Sequence, residues 1–410
     1  MYRDSDSCRI VPRDQHGISR ANISENALKV LYRLKQEGYQ ALLVGGGVRD
    51  LLLGREPKDF DVATDARPED VRRVFRNCRL IGRRFRLAHV HFGQEIIEVA
   101  TFRGGGDEED ASDRHTHNGM IVRDNRYGTL EEDAMRRDFT VNALYYNIAD
   151  FSVIDYAGGL EDLKAGRLRL IGDEPEHRYR EDPVRMLRAI RFAAKLGFSI
   201  DPACERPLLE RGDLLSGVPA ARLFVEVLKL FLSGIGLHAF EKLRHYGLFG
   251  HLFPATEDCL AYEDHAFPIT FVSRGLANTD RRVQEDKPVT PAFLFALLLW
   301  EPVRRRYFPL ADRGLAHHDA MVQAGGEVLA AQLSRVSIPK RFSLPMREVW
   351  ELQPRFEQLD GKRPQRLAAH PCFRAAYDFL VLRAECGEAE PELVDWWTRF
   401  QGANGEDSAG

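Results

Sequence analysis

Two aspartates, Asp59 and Asp61, stand two positions apart in the stretch DFDVAT, a short way after three consecutive glycines, Gly45, Gly46 and Gly47. In a β-strand, positions i and i+2 face the same way. Carboxylates so placed repel each other unless a cation lies between them. A hard divalent cation, Mg²⁺ or else Mn²⁺, relieves that repulsion and keeps coordination positions for substrate phosphates. The glycines complement such a site. They lie between the apolar run QALLV and the segment VRDLLL, which predicts a strand-to-helix turn. Backbone N–H groups there can approach phosphate oxygens closely, because no Cβ intervenes. Gly45 and Gly46 are the candidate phosphate contacts. Arg49, one turn later, is a candidate charged fork for a triphosphate. The stretch lacks the Lys-Ser/Thr ending of a P-loop and the full Gly-x-Gly-x-x-Gly of a dinucleotide fold.

A third carboxylate completes a site for two ions. Glu98, in EIIEVATFR, lies in an otherwise apolar strand, where a charge needs a reason. It serves either as a metal ligand or as the partner of an arginine. Asp138, in RRDFTVNAL, competes for the ligand role, and it could equally bind a ribose hydroxyl or anchor Arg137. Asp59, Asp61, Glu98 and Asp138 are therefore the catalytic candidates. The chemistry that these parts imply is nucleotidyl transfer. Two ions ~3.5–4 Å apart would clamp both oxygens of an in-line displacement, one aiding the attacking hydroxyl and one the departing pyrophosphate.

Bulk properties agree with such an enzyme. The chain has 410 residues, enough for two or three domains. No run of about 18 apolar residues is present, so no membrane partner is expected. Six dispersed cysteines form no Cys-x-x-Cys pair, which points to a reducing, cytoplasmic setting. Net charge is −4, yet the charge is segregated: residues 72–86 hold seven arginines and no acid. That suits a polyanion binder. Arg83, Arg84 and Arg86 in LIGRRFRLAHVHF are candidate RNA contacts, whereas His89 and His91, on one face of a strand, read as packed or surface histidines.

The elements that must position these residues follow from periodicity. ISENALKVLYRLKQEGY reads as a helix capped by Ser24, with a stripe of Leu28, Leu31 and Leu34, ended by Gly38. Strands are expected at QALLV, DFDVAT, RLAHVHF and EIIEVATF, and RPEDVRRVF opens a helix with Pro68 near its start. Residues 103–119 read as a mobile loop. From about Gly158 helical periods dominate, as in DPVRMLRAIRFAAKLG, ARLFVEVLKLFLSG and PAFLFALLLW. The expected fold is α+β, a mixed-sheet head followed by an all-helical neck and body. The boundaries are a flexible 1–19, a catalytic head 20–160, a neck 161–255 for base and RNA, a helical RNA-binding body 256–400 and a disordered tail 401–410.

GGGVRDLLLG followed by KDFDVAT resembles the signature of the DNA polymerase β-like nucleotidyltransferases. More narrowly it resembles their class II branch, the tRNA CCA-adding enzymes and the bacterial poly(A) polymerases. RRDFTVNAL is similar to that branch's second motif, which implies ribose recognition by Arg137 and Asp138. EDPVRMLRAIRFAAKLG is similar to its neck motif, which implies that Asp182, Arg185 and Arg188 meet the nucleobase. An accepting Asp beside a donating Arg fits the N1 and amino edge of adenine, and the like edge of cytosine. Uracil and guanine present the reverse polarity. Glu181 and Arg185 form an i,i+4 pair that would hold the guanidinium. LIGRRFRLAHVHF looks like a stretch found in bacterial poly(A) polymerases, and FRAAYDFLVLRAE is similar to their carboxyl-terminal part. The resemblance implies template-independent addition of AMP from ATP to RNA 3′ ends, with CCA or A addition to tRNA as the near alternative. An RNA-binding protein with an inactive head is the alternative of another class. Such polymerases often carry a long basic tail. None follows RFQGANGEDSAG, so RNA grip is expected on the arginine-rich head and neck and on VRRRY from Val303.

Overall fold

A computed structural model describes residues 8–82, 86–104, 114–117, 120–124, 127–261, 263–264, 267–268 and 270–406. The chain divides into two compact units, Met1–Arg185 with Leu196–Pro207, and Met186–Lys195 with Leu208–Gly410. The first unit thus extends beyond the expected head boundary at 160.

Eight strands form the sheet of the first unit: β1 (Arg9–Val11), β2 (Ala41–Val44), β3 (Asp61–Thr64), β4 (Cys78–Ile81), β5 (Leu87–Phe92), β6 (Glu95–Thr101), and, after a separate hairpin of β7 (Arg114–His117) and β8 (Met120–Asp124), β9 (Leu144–Asn147) and β10 (Val153–Asp155). The order is β1-β10-β9-β2-β3-β6-β5-β4. β3 and β6 run parallel, and the other neighbours are antiparallel. Two expectations are corrected here. Residues 9–11, assigned to a flexible N-terminus, pair with β10. Part of the stretch expected to be a mobile loop is strand β7, because alternate backbone groups find a partner in β8.

Helix α1 (Glu25–Gln36) begins where Ser24 Oγ accepts from the Ala27 N–H at 3.0 Å. Its buried stripe is Ala27, Val30, Leu31 and Leu34, rotated from the expected one, with Leu28 only half-buried. It packs on β2, β3 and β6. The short helices α2 (Gly46–Leu52) and α3 (Pro68–Val74) follow β2 and β3. On the other face Leu42, Val44, Ala63, Tyr145 and Ile154 form a core with Ala134 of α4 (Leu130–Arg136). Asp155 Oδ1 and Oδ2 accept four N–H groups, from Ala157, Gly158, Gly159 and Leu160, and so start α5 (Gly159–Ala165). At Gly159 a Cβ would lie 2.2 Å from the Thr140 carbonyl oxygen. Backbone cannot yield as a side-chain tip can, so Gly159→Ala should destabilise the protein by about 3 kcal/mol, read as a lower urea midpoint at unchanged m.

The second unit is helical, as the periodicity predicts, with helices at Ala220–Phe231, Gly236–His245 and Pro291–Leu298 among others. Trp300, Trp350 and Trp397 are fully buried in it, and Trp350 Nε1 donates to the Ala296 carbonyl at 3.0 Å. Residues 401–406, expected in a disordered tail, close the helix Pro391–Glu406. Residues 407–410 lie outside the described residues. Among the described residues no single helix is long and apolar enough to cross a membrane.

Candidate active site

Strand register assembles the site. Val44, the last residue of β2, pairs with Asp61, the first of β3, and Asp61 pairs in turn with Glu98 of β6. The glycine turn that follows Val44 therefore begins beside one end of β3, and Glu98 stands on the other side. Gly45 has φ +76°, a conformation that favours glycine. A Cβ there would lie 3.9 Å from Asp61 Oδ2 and 3.9 Å from Arg137 Nη1, so the turn, the carboxylate and the guanidinium share one small space.

Asp59 is not on the strand, as expected from sequence, but in the exposed segment just before it. The alternation still holds. Phe60 and Val62 are buried, and Asp61 is half-buried on the opposite side. The Asp61 carboxyl is pushed up to about 6, first by burial, then by the Glu98 charge, with Arg137 opposing and Asp59 adding to the rise. Three acids thus bear on one point, and Asp61 carries the cost. That is the electrostatic signature of a cation site. Asp138 sits at the turn after α4. Its Oδ1 accepts from its neighbour Phe139 N–H at 2.8 Å and from Asn142 Nδ2 at 3.4 Å, fixing the turn Thr140–Asn142. Of the two candidates for third carboxylate, Glu98 is the one that strand pairing sets beside Asp61. Its Oε2 lies 3.4 Å from His89 Nε2, the cross-strand neighbour, and the His89 and His91 rings are 6.3 Å apart.

Arg49 departs from the expected phosphate fork. It is 2% exposed; Nε and Nη2 bond Asp50 Oδ1 at 2.9 and 2.8 Å, and Nη1 bonds Asn142 Oδ1 at 2.6 Å. Its Nη2 lies 3.4 Å from where a Gly46 Cβ would be. The side chain braces the glycine turn from within. The sequence could not reveal this, because its acceptor Asn142 is 93 residues away.

Arg137 takes the forward position. Asp133 Oδ2 receives its Nη2 at 3.0 Å and Nε at 3.2 Å, and the Tyr145 oxygen receives Nε at 3.0 Å. Tyr145 O–H donates to the same Asp133 oxygen at 2.6 Å. Among the described residues Nη1, the atom 3.9 Å from where a Gly45 Cβ would be, has no hydrogen-bond partner. Asp133 and Tyr145 were not anticipated. The signal available was Asp133 four positions before Arg137 in a helical stretch.

The neck helix breaks where Pro183 removes an N–H and drives Asp182 to φ −149°, ψ 89°. Helix α6 (Pro175–Glu181) ends there, and α7 (Val184–Leu196) begins after it. The expected Glu181–Arg185 pair forms at 3.0 Å, and Arg185 Nη1 also donates to the Arg178 carbonyl at 2.7 Å. Arg188 lies over the Phe192 ring at 5.2 Å. Of the expected RNA contacts, Arg83 and Arg84 lie outside the described residues, and Arg86 pairs with Glu69 on the surface. Of the VRRRY arginines, Arg304 pairs with Glu301 and Glu388, and Arg306 pairs with Glu327 on the surface.

The same architecture is found in solved tRNA-processing proteins. A "tRNA-processing enzyme (apo form I)" matches over 90% of each chain with a TM-score of 0.56 at 23% identity. The crystal structure of Bacillus stearothermophilus CCA-adding enzyme in complex with CTP matches 93% of this chain and 98% of its own, with a TM-score of 0.50 at 26% identity. Fold and clustered carboxylates together define a nucleotidyltransferase. Residues 41–169 match the poly A polymerase head domain, residues 197–260 the probable RNA and SrmB-binding site of polymerase A, and residues 313–409 the polymerase A arginine-rich C-terminus. Poly(A) polymerase I of Escherichia coli O6:H1 is 54% identical over 96% of this chain and 85% of its own, and that of Haemophilus influenzae is 47% identical over 97% and 89%. The CCA-adding enzyme of Geobacillus stearothermophilus is 39% identical over 56% of this chain and 54% of its own. The chain belongs to the poly(A) polymerase I family.

Proposed function

We propose that the chain is a template-independent poly(A) polymerase that transfers AMP from ATP to RNA 3′ ends. The terminal 3′ oxygen bonds to the α-phosphorus, and the bond from that phosphorus to the bridging oxygen of pyrophosphate breaks. The observation that carries this reading is Asp61, paired across the sheet with Glu98, two residues after Asp59 and beside the glycine turn, with its proton affinity raised first by burial and then by the Glu98 and Asp59 charges. The donors fit a hard divalent ion, Mg²⁺ by preference, since all are carboxylate oxygens. Held by Asp61 with Asp59 and Glu98, it would neutralise charge on the attacking and departing oxygens.

The chain's own groups do the rest. The Gly45 N–H is committed to the Leu144 carbonyl at 3.3 Å, so the phosphate-donating N–H group falls to Gly46, at the start of α2, in a turn that Arg49 keeps rigid. Arg137, pinned by Asp133 and Tyr145, directs Nη1 at the same space. Asp138 and Arg137 approach the sugar. Asp182 and Arg185 read the adenine edge, and Arg185 is suited to this because Glu181 fixes its plane. Arg83, Arg84 and Arg86 are assigned to the RNA backbone, and the activity to the cytoplasm, where the dispersed cysteines stay thiols.

CCA addition is the second reading, favoured by the resemblance of 56% of the chain to a CCA-adding enzyme. Supplying ATP and CTP separately, with RNA ends that have or lack CCA, separates the two. Tails of many adenylates on RNA other than tRNA are expected. Arrest after one to three additions, confined to tRNA, overturns the proposal.

A further inference from the structure

We propose that Arg178 is a positioning residue that couples nucleobase reading to alignment of the reacting phosphates. The proposal rests on the roles given above to Arg185 and Arg137. Arg178 lies in the middle of α6 and touches both. Its Nη2 donates to the carbonyl of Arg137 at 2.7 Å and to that of Arg136 at 3.2 Å. These carbonyls belong to the last turn and cap of α4, which no intrahelical donor satisfies, and a cation suits that end of a helix. Nη1 donates to Glu181 Oε2 at 2.7 Å. That oxygen also receives Arg185 Nη1 at 3.0 Å, and the same Nη1 donates to the Arg178 carbonyl at 2.7 Å.

One guanidinium therefore connects the backbone that carries Arg137 and Asp138 to the side chain assigned to the base. The link is internal: the side chains of Arg178, Glu181 and Arg185 are 14%, 14% and 10% exposed. Burial and the nearby Arg185 charge lower the proton affinity of Arg178, while Glu181 and Asp138 oppose them. Two like charges thus share one carboxylate, and neither arginine can move without loosening the other. Only a planar fork reaches two carbonyls with one nitrogen and a carboxylate with the other; a lysine ammonium is a point donor.

The segment does not depend on Arg178 to fold. Phe139 bridges to Leu170, Ile171 N–H donates to the Asp138 carbonyl at 3.0 Å, and Thr140 N–H to the Arg169 carbonyl at 3.0 Å. Removing Arg178 should therefore misalign the site rather than unfold it.

The test is single-nucleotide incorporation on a defined RNA by the full chain, with ATP and with GTP, for Arg178→Ala, Arg178→Lys, Arg185→Ala and the double alanine variant. Arg178→Ala should lower kcat/KM for ATP about 10²-fold, since a small misplacement of reacting groups has that effect. It should also narrow the ATP-over-GTP ratio about tenfold, with melting temperature and RNA affinity retained and part of the ratio restored in Arg178→Lys. In the double variant the ratio should fall no further than in Arg185→Ala, as for residues acting through one network. If Arg178→Ala fails to fold, Arg178→Lys decides, with a ratio narrowed about threefold expected. A folded Arg178 variant with an unchanged ratio, or a ratio that falls additively in the double variant, overturns the coupling alone. An unchanged ratio in Arg185→Ala overturns the base-reading role and this proposal with it.

Discussion

Asp61→Asn is expected to abolish nucleotide incorporation, by about 10³-fold or more in kcat, with RNA affinity kept. The substitution preserves shape and removes the charge that the site is arranged around. It also carries a stability signature of unusual sign. The Asp61 carboxyl rises from 3.8 to about 6 on folding, through burial, Glu98 and Asp59 against Arg137. Between those values the folded chain binds the proton more tightly than the unfolded chain does. Stability therefore falls as pH rises through about 4 to 6, and the metal-free protein at neutral pH carries the full penalty, up to about 3 kcal/mol. In chelator at pH 7.5 the asparagine variant should melt several degrees above the parent. Added Mg²⁺ should raise the parent by mass action and leave the variant nearly unmoved. Equal Mg²⁺ responses, or surviving incorporation, would show that Asp61 holds no ion.

Asp133→Ala should be the most damaging change at the site for folding. Asp133 receives Tyr145 O–H at 2.6 Å, Arg137 Nη2 at 3.0 Å and the Arg103 N–H at 3.1 Å, and it is 5% exposed. Its removal leaves a largely enclosed guanidinium and a buried hydroxyl short of their acceptor, at a cost of about 3–5 kcal/mol. Burial alone would raise the Asp133 carboxyl, but Arg137, Tyr145 and the Arg103 N–H hold it below the usual range. The sign is opposite to that of Asp61. This contribution is present above about pH 4 and disappears as pH falls through the depressed value. Urea titrations at pH 7 and pH 3 should show a parent–variant gap of several kcal/mol that narrows in acid. A gap under about 1 kcal/mol at pH 7 would mean that Arg137 is held by other means. Activity should fall with stability, because Arg137 Nη1 is aimed by this contact.

Several elements were legible because their causes are local. Ser24 before an apolar period and Pro68 at a first helical turn each act within a few residues of themselves, so α1 and α3 lie where the sequence places them, whereas α2 begins two residues before VRDLLL, at Gly46. Chain ends were misjudged for the converse reason. Arg9–Val11 has no local signal, and its order comes from β10, more than 140 residues later.

Asp59, Asp61 and the three glycines could be proposed as a phosphate and cation site from sequence because carboxylate repulsion and the missing Cβ are properties of residue types at short spacing. The position of Glu98 beside Asp61 follows from the β3–β6 register, which the sequence does not supply. The inward turn of Arg49 toward Asn142, and the hold of Asp133 and Tyr145 on Arg137, likewise depend on contacts that form only when distant strands and α4 meet. Residue chemistry along the chain therefore determined which groups could act. Tertiary packing decided which of them face one another, because side-chain direction is set by partners that sequence proximity does not supply.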